Sequence, residues 1–407
     1  MRLIDLNKLR KDSLFRNSFY LMLSTYVTTG LGFFFWMINT RLYQPEDVGL
    51  ATTLISVMGL IISLSGLGMG VALIRFLPNS KQKNRKINSC FTIVTLFTIV
   101  VASIFVLGIQ FFSPKLIFIQ HNIYFGLLFV FFMVVMSLFT LSESVFIAFK
   151  RNIFVLYKNT IFSIIKLVLP FLFVFLGAYG IFLSWTLSAA IALSFIFIVL
   201  IVKFKFSMKA VIYDSILKKI FSFSFANYLS GMFNILPSFL LPIMITHYLT
   251  PQDTAYFYIA LMIAGLLYII PQSIANSYMA QVITNSSKQN KYLINSIKYI
   301  IFLLVIPIGL IILLGRPLLS LFGNEYSSQG YGPLVVLVLA SIFIAVKSLY
   351  GSILILKKEI YKIILIHGII AFTILILCLF FHNSLMGFAT SYLIGQATIL
   401  FLILVFK

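Results

Sequence analysis

The sequence predicts an all-α integral membrane protein, with about twelve transmembrane helices in two parallel-repeat six-helix lobes. Composition is the first reason. The chain is 61% hydrophobic and only 10% charged, with a mean hydropathy of +1.10, far from the values of soluble domains. Apolar runs long enough to cross a hydrocarbon core of about 30 Å recur along its length. A duplication is the second reason. Arg41-Leu-Tyr-Gln-Pro-Glu-Asp-Val-Gly49 returns as His247-Tyr-Leu-Thr-Pro-Gln-Asp-Thr-Ala255, an offset of 206 between Pro45 and Pro251. After one inserted residue the register becomes 207, linking Ile87-Asn88-Ser89 to Ile294-Asn295-Ser296 and Gly180 to Gly387. The third reason is charge. With the N-terminus inside, 25 of the 30 basic residues fall in cytoplasmic segments, Lys158 among them, and only Arg41, Lys115 and Arg316 fall outside. That asymmetry is the positive-inside pattern.

The elements follow in order. A basic leader (Arg2, Lys8, Arg10, Lys11, Arg16) precedes an apolar run to about Asn39. This run is too long for a signal peptide and lacks a small-residue cleavage site, so it reads as a retained first span. Further spans are expected near 48–74, 88–112, 122–148, 153–176 and 179–202, then 218–246, 254–281, 292–314, 332–356, 360–381 and 385–406. Six spans per copy bring both halves in and out on one side. The repeats are therefore parallel, with lobes 1–205 and 206–407 and both termini cytoplasmic.

Several function classes lack their residues. The connections are too short to form a separate domain. The sequence holds no GxxxxGK[ST] loop for nucleotide phosphates, no HExxH and no paired-cysteine motif. No cofactor, metal or catalytic constellation is expected, and the chain does not read as an enzyme. Cys90 and Cys378 lie in apolar runs and read as small buried residues. His121, His247, His367 and His382 are scattered and read as interfacial side chains. The net charge of +21 is distributed in short clusters between spans, which argues against nucleic acid as a partner.

Polar residues at helical spacing mark the candidate site. Asn227, Ser230, Asn234 and Ser238 share one face of the seventh span, and Gln272 and Asn276 share one face of the eighth. The equivalent face of the first span carries Ser18, Thr25, Thr28 and Gly32, so Thr28 aligns with Asn234. In the second span, Thr52, Ser56, Gly59, Ser63, Gly66 and Gly70 fall on one face, as small residues do where helices pack closely. Amides facing lipid would cost several kcal/mol each, so these faces should meet protein or water. A water-filled cleft between the halves is the expectation. Glu143, Lys347 and Lys166 lie within spans, at roughly 9, 13 and 20 Å from the cytoplasmic end at 1.5 Å per residue. Lys166, on one face with Asn159 and Ser163, has no carboxylate obviously placed to neutralise it. It is expected to point into a hydrated cavity. Lys347 aligns with Thr140, one turn from Glu143, and Glu143 is a candidate for a coupling or gate role.

Arg41-Leu-x-x-Pro-x-x-x-Gly49 and the following Gly66-Leu-Gly-Met-Gly-Val-Ala-Leu-Ile-Arg75-Phe resemble the start of bacterial and archaeal polysaccharide flippases. These belong to the multidrug/oligosaccharidyl-lipid/polysaccharide exporter superfamily. The sequence departs from the family pattern at Val48, where an aromatic is commoner, and its second copy lacks the glycines of the eighth span. The resemblance implies transfer of an undecaprenyl-diphosphate-linked oligosaccharide across the cytoplasmic membrane for surface polysaccharide synthesis. Lys166, Arg41, Arg75 and Lys347 would meet the diphosphate, and Asn159, Asn227, Asn234, Gln272 and Asn276 the sugars. Partners implied are membrane lipids and the polymerase and glycosyltransferases of the same pathway. Two other readings compete. An ion-coupled multidrug or metabolite antiporter would want intramembrane acids, yet the first and seventh spans contain no Asp or Glu. A membrane-bound glycan polymerase or acyltransferase would want acid, base or histidine groups clustered at a sizeable outer loop.

Overall fold

A computed structural model describes residues 13–120, 123–212 and 214–406. The leader cations Arg2, Lys8, Arg10 and Lys11, and His121, lie outside these residues. Within them the chain is helical, with no strand and no cis peptide bond. Twelve helices are long and apolar enough to span a membrane. The first copy comprises α1 (Ser13–Leu42), α2 (Pro45–Gly66), α3 (Met69–Phe76), α4 (Lys83–Leu107), α5 (Ile109–Phe112), α6 (Ile123–Ala148), α7 (Ile153–Leu172) and α8 (Ala178–Phe204). The second comprises α9 (Asp214–Tyr248), α10 (Pro251–Thr284), α11 (Gln289–Ser320), α12 (Asn324–Leu356), α13 (Ile360–Phe380), α14 (Leu385–Ala397) and α15 (Ile399–Val405).

Local chemistry sets the ends. Pro45 and Pro251 each occupy the first helical position, where the missing N–H has no intrahelical partner to lose. Thr250 caps α10 and exchanges hydrogen bonds with Asp253 in a capping box. The expected single span 48–74 is instead two helices. Leu67 and Gly68 take positive φ values of 46° and 72°, which ends α2 inside the glycine-rich run and starts α3 at a new angle.

Contacts divide the chain into two compact units, Met1–Tyr43 with Met58–Tyr228, and Gln44–Val57 with Leu229–Lys407. This division differs from the repeat boundary at 205/206, because the first half of α2 packs within the second unit. There the Cα of Gly49 lies against the backbone of Pro251, so that any side chain would collide with that carbonyl. One turn further, the hydroxyls of Thr53, Thr246 and Thr254 form a buried hydrogen-bonded chain.

In the first unit α7 packs on α1 and α8, and α6 on α4 and α8. The α1–α7 seam is polar at regular intervals. Asn152 donates twice to Asn17, Asn159 donates to Ser24 Oγ at 2.9 Å, and the Tyr43 hydroxyl donates to Pro170 O at 2.8 Å. The steps 17 to 24 and 152 to 159 are equal, as expected for two helices running parallel in register. In the second unit α12 is central, packed on α10, α11 and α14.

Candidate functional site

The sequence stripes of the second copy converge on one cavity of about 410 Å³ in the second unit. Asn234 and Ser238 of α9, Gln272 and Asn276 of α10, and Lys347 and Ser348 of α12 line it. Lys347 Nζ donates to Asn234 Oδ1 at 2.9 Å, which places the predicted cation and the predicted amide in direct contact. Gln272 joins α10 to α12 by accepting from Ser348 Oγ at 3.4 Å, and donates to Asn276 Oδ1 on its own helix at 3.3 Å. No carboxylate lines the cavity, so Lys347 is the one charged side chain among amides and hydroxyls in its lining.

Three further lining residues were not singled out from the sequence. Tyr268 and Tyr392 stack with ring centroids 6.4 Å apart and supply flat faces. His367, read as an interfacial histidine, instead lines the cavity with Nδ1 within 3.1 Å of the Ser230 carbonyl. These residues sit in the eighth, eleventh and twelfth spans. Only Tyr268 could have been found from a stripe, since it lies one turn before Gln272.

The first unit holds the same cavity in reduced form. Ile62, Gly66, Gly70, Ser137, Thr140, Leu141 and Ser144 line a space of about 100 Å³. At the repeat offsets of 206 and 207 these positions correspond to Tyr268, Gln272, Asn276, Ile344, Lys347, Ser348 and Gly351 of the larger cavity. Where the first copy has two glycines the second has two amides, and where the first has a threonine the second has a lysine. Gly70 has room for little else, because a Cβ there would stand 2.8 Å from Ser144 Oγ.

The predicted cations of the first unit lie elsewhere. Lys166 is 1% exposed and faces three rings, with Nζ 4.0 Å from the Trp185 centroid, 4.7 Å from Phe162 and 4.9 Å from Phe35. The expected hydrated cavity around Lys166 is therefore absent in this conformation. Aromatic quadrupoles take the place of water there. Asn159, expected to extend that surface, is bonded to Ser24 in the α1–α7 seam.

Lys158 also departs from expectation. Counted among the cytoplasmic cations, it is fully buried, with Nζ 3.3 Å from Glu143 Oε2 and 2.8 Å from Phe139 O. It also stands 3.8 Å over the Phe139 ring. Glu143 is thus paired, not isolated. The remaining candidates do not join the cavity: Arg41 is exposed at the end of α1, Arg75 at the end of α3, and Asn227 is exposed on α9. Cys90 and Cys378 are free and buried, and no cluster suited to a metal occurs among the described residues.

Against known proteins, the polysaccharide biosynthesis protein family matches residues 14–277. No curated protein matches the chain by sequence. Among solved structures, the chain resembles a lipid II flippase, MurJ, in an inward closed conformation. The TM-score is 0.74 at 14% identity, over 95% of this chain and 87% of that one. It also resembles an inward-facing multidrug resistance MATE family transporter of the MOP superfamily, with a TM-score of 0.69 at 15% identity, over 95% and 97%. These likenesses establish a shared two-lobed helical fold. The twelve apolar helices, the duplicated architecture and the family match over most of the length lead to one assignment: this multi-pass membrane chain belongs to the polysaccharide biosynthesis protein family.

Proposed function

We propose that the protein is a flippase that moves undecaprenyl-diphosphate-linked glycan repeat units across the cytoplasmic membrane by alternating access. It would serve surface polysaccharide synthesis beside the polymerase and glycosyltransferases of the same pathway. The carrying observation is the second-unit cavity, where Lys347 and the amides of Asn234, Gln272 and Asn276 meet two stacked tyrosines. Amides and hydroxyls satisfy sugar hydroxyls, ring faces stack on sugar C–H surfaces, and the lysine attracts an acidic group. The cytoplasmic location of both termini follows from the basic asymmetry of the loops. In this reading Lys166 belongs to a charged path that opens in another conformation, and Arg41 and Arg75 attract the anionic head at the two membrane faces. Glu143 serves as a gate or coupling group through its pair with Lys158.

An ion-coupled antiporter is the second reading. The MATE likeness and the intramembrane Glu143 favour it, while the carboxylate-free lining of the cavity opposes it. The test is reconstitution into proteoliposomes containing a fluorescent undecaprenyl-diphosphate-linked glycan, with leaflet transfer read by quenching. Transfer by the parent, reduced about tenfold or more in Lys347→Gln, is the expected result. Ethidium exchange against a proton or sodium gradient without glycan transfer would replace the flippase reading with the antiporter.

A further inference from the structure

The helix α12 separates two compartments of opposite character. One of its faces, through Ile344, Lys347, Ser348, Gly351, Ser352 and Ile355, lines the polar cavity. The other, through Ile342, Ala345, Val346, Leu349, Tyr350 and Ile353, lines an apolar groove of about 530 Å³. At 100° per residue these two sets centre on nearly opposite sides of the helix, at the same depth. The facing wall of the groove comes from α11, including Ile297, Ile301, Leu304 and Val305. Three of these four are exposed on the outside of the bundle, Val305 by 59%. Tyr350 is the one polar side chain in the lining.

Both compartments approach the same point. The groove reaches Ile353 and the cavity reaches Ile355, roughly 6 Å and 3 Å along the helix from Lys357. There α12 ends, with Lys357 as its cap and Lys358 turning at a φ of 62°. Both lysines are exposed, and neither joins an ion pair among the described residues. The neighbouring Glu359 is neutralised by Lys362 at 2.9 Å. A polar pocket and a hydrocarbon groove, back to back and joined at a pair of cations, match an amphiphile with an anionic middle.

We propose that a polyprenyl-diphosphate-linked glycan straddles α12. Its glycan occupies the polar cavity, its isoprenoid chain lies in the α11–α12 groove, and its diphosphate bends around the helix end at Lys357 and Lys358. This rests on the flippase reading and adds the site of the lipid chain. A water-soluble cargo would have no use for the groove, and a bulk phospholipid would have no use for its junction with the polar cavity.

The experiment measures binding of N-acetylglucosaminyl diphosphate probes to the purified protein in nanodiscs of phosphatidylglycerol and phosphatidylethanolamine, comparing undecaprenyl with geranyl chains. A photoreactive diazirine on the undecaprenyl chain maps its position. The parent should bind the undecaprenyl probe at least about tenfold more tightly at equal mole fraction in the bilayer, through the packing contacts that the longer chain gains in the groove. Val305→Trp, which fills the groove from an exposed position, should cut this ratio to below about threefold. Phe131→Trp, on a lipid-facing side of α6, should leave the ratio intact. Lys357→Gln with Lys358→Gln should weaken both probes about tenfold through the lost charge-assisted bonds. Crosslinks should fall on α11 and α12. Equal binding of the two chain lengths, or crosslinks spread evenly over the lipid-facing helices as for annular phospholipid, overturns the proposal and leaves the flippase reading standing. Binding of neither probe removes both.

Discussion

Lys158 on α7 reaches Glu143 on α6 at 3.3 Å, and the lysine is fully buried while the glutamate retains 36% exposure. The pair is asymmetric in a way that fixes its energetics. Removing the glutamate strands a buried cation, whereas removing the lysine leaves a carboxylate that is already partly exposed. Glu143→Gln should therefore cost about 2–3 kcal/mol, below the 3–5 kcal/mol of a fully buried pair because the carboxylate is partly screened. Lys158→Met should cost less, and the double variant should recover most of the loss. Thermal unfolding in detergent checks the order. Equal losses for the two single variants would show that the pair is not the source.

The reduced cavity of the first unit makes a reciprocal prediction. Thr140→Lys would place a cation in a space of about 100 Å³ without an amide to receive it. This should lower the melting temperature by several degrees, whereas Lys347→Thr in the roomier cavity should leave stability within about 1 kcal/mol of the parent. Paired melting curves test this. A Thr140→Lys protein as stable as the parent would contradict the size difference.

Gly49 should tolerate no side chain. Its neighbour is the Pro251 backbone, which cannot swing away as a side-chain tip would. Gly49→Val should fail to accumulate, and Gly49→Ala should melt well below the parent, since even a Cβ meets the Pro251 carbonyl and forces the backbone to move. Gly30 and Gly32 have open space where a Cβ would stand, so alanine there should be neutral or stabilising by up to about 1 kcal/mol. Membrane abundance and thermal unfolding distinguish the two classes of glycine.

Lys166 offers a separable test of structure and transport. Its aromatic cage would accept an apolar side chain of similar length, so Lys166→Met should fold with a melting temperature equal to or above the parent's. Lys166→Glu should fail to fold, since it sets an anion against three ring faces. Export by a normally abundant Lys166→Met at the parental rate would remove the lysine from the transport path.

Topology is tested by single cysteines. Substitutions at Lys115, Asn324 and Asn383 should label with impermeant maleimide from outside, and those at Lys83 and Lys288 only after permeabilisation. Protection of any of the first three from outside reagent would invert the arrangement.

Much of this was legible because membrane helices declare themselves locally. Length, apolarity and the 206/207 register needed no tertiary information, and they placed most span ends within about five residues, although α11 runs on to Ser320 and α12 begins at Asn324, earlier than the expected 332. The second-copy stripes also converged as their spacing implied, since Asn234, Gln272, Asn276 and Lys347 line one cavity. What escaped was set by contacts between distant segments. Nothing near Lys158 in sequence announces Glu143, fifteen positions away. Lys166 gave a correct signal of burial and a misleading one of hydration, because its ring partners come from three different helices. The break at Leu67 and Gly68 was hidden by an apolar run that continues smoothly across it.

The divergence of the two cavities carries an evolutionary consequence. A symmetric duplication would make every change of cargo a matter of two coordinated substitutions. Here the glycine-lined copy offers only the short hydroxyls of Ser137, Thr140 and Ser144, whereas the other copy presents amides, tyrosines and a lysine. Under the proposed flippase reading, a new glycan would be accommodated by exchanges at Gln272, Asn276 and Lys347, while the close approach of Gly70 to Ser144 in the first copy stays untouched.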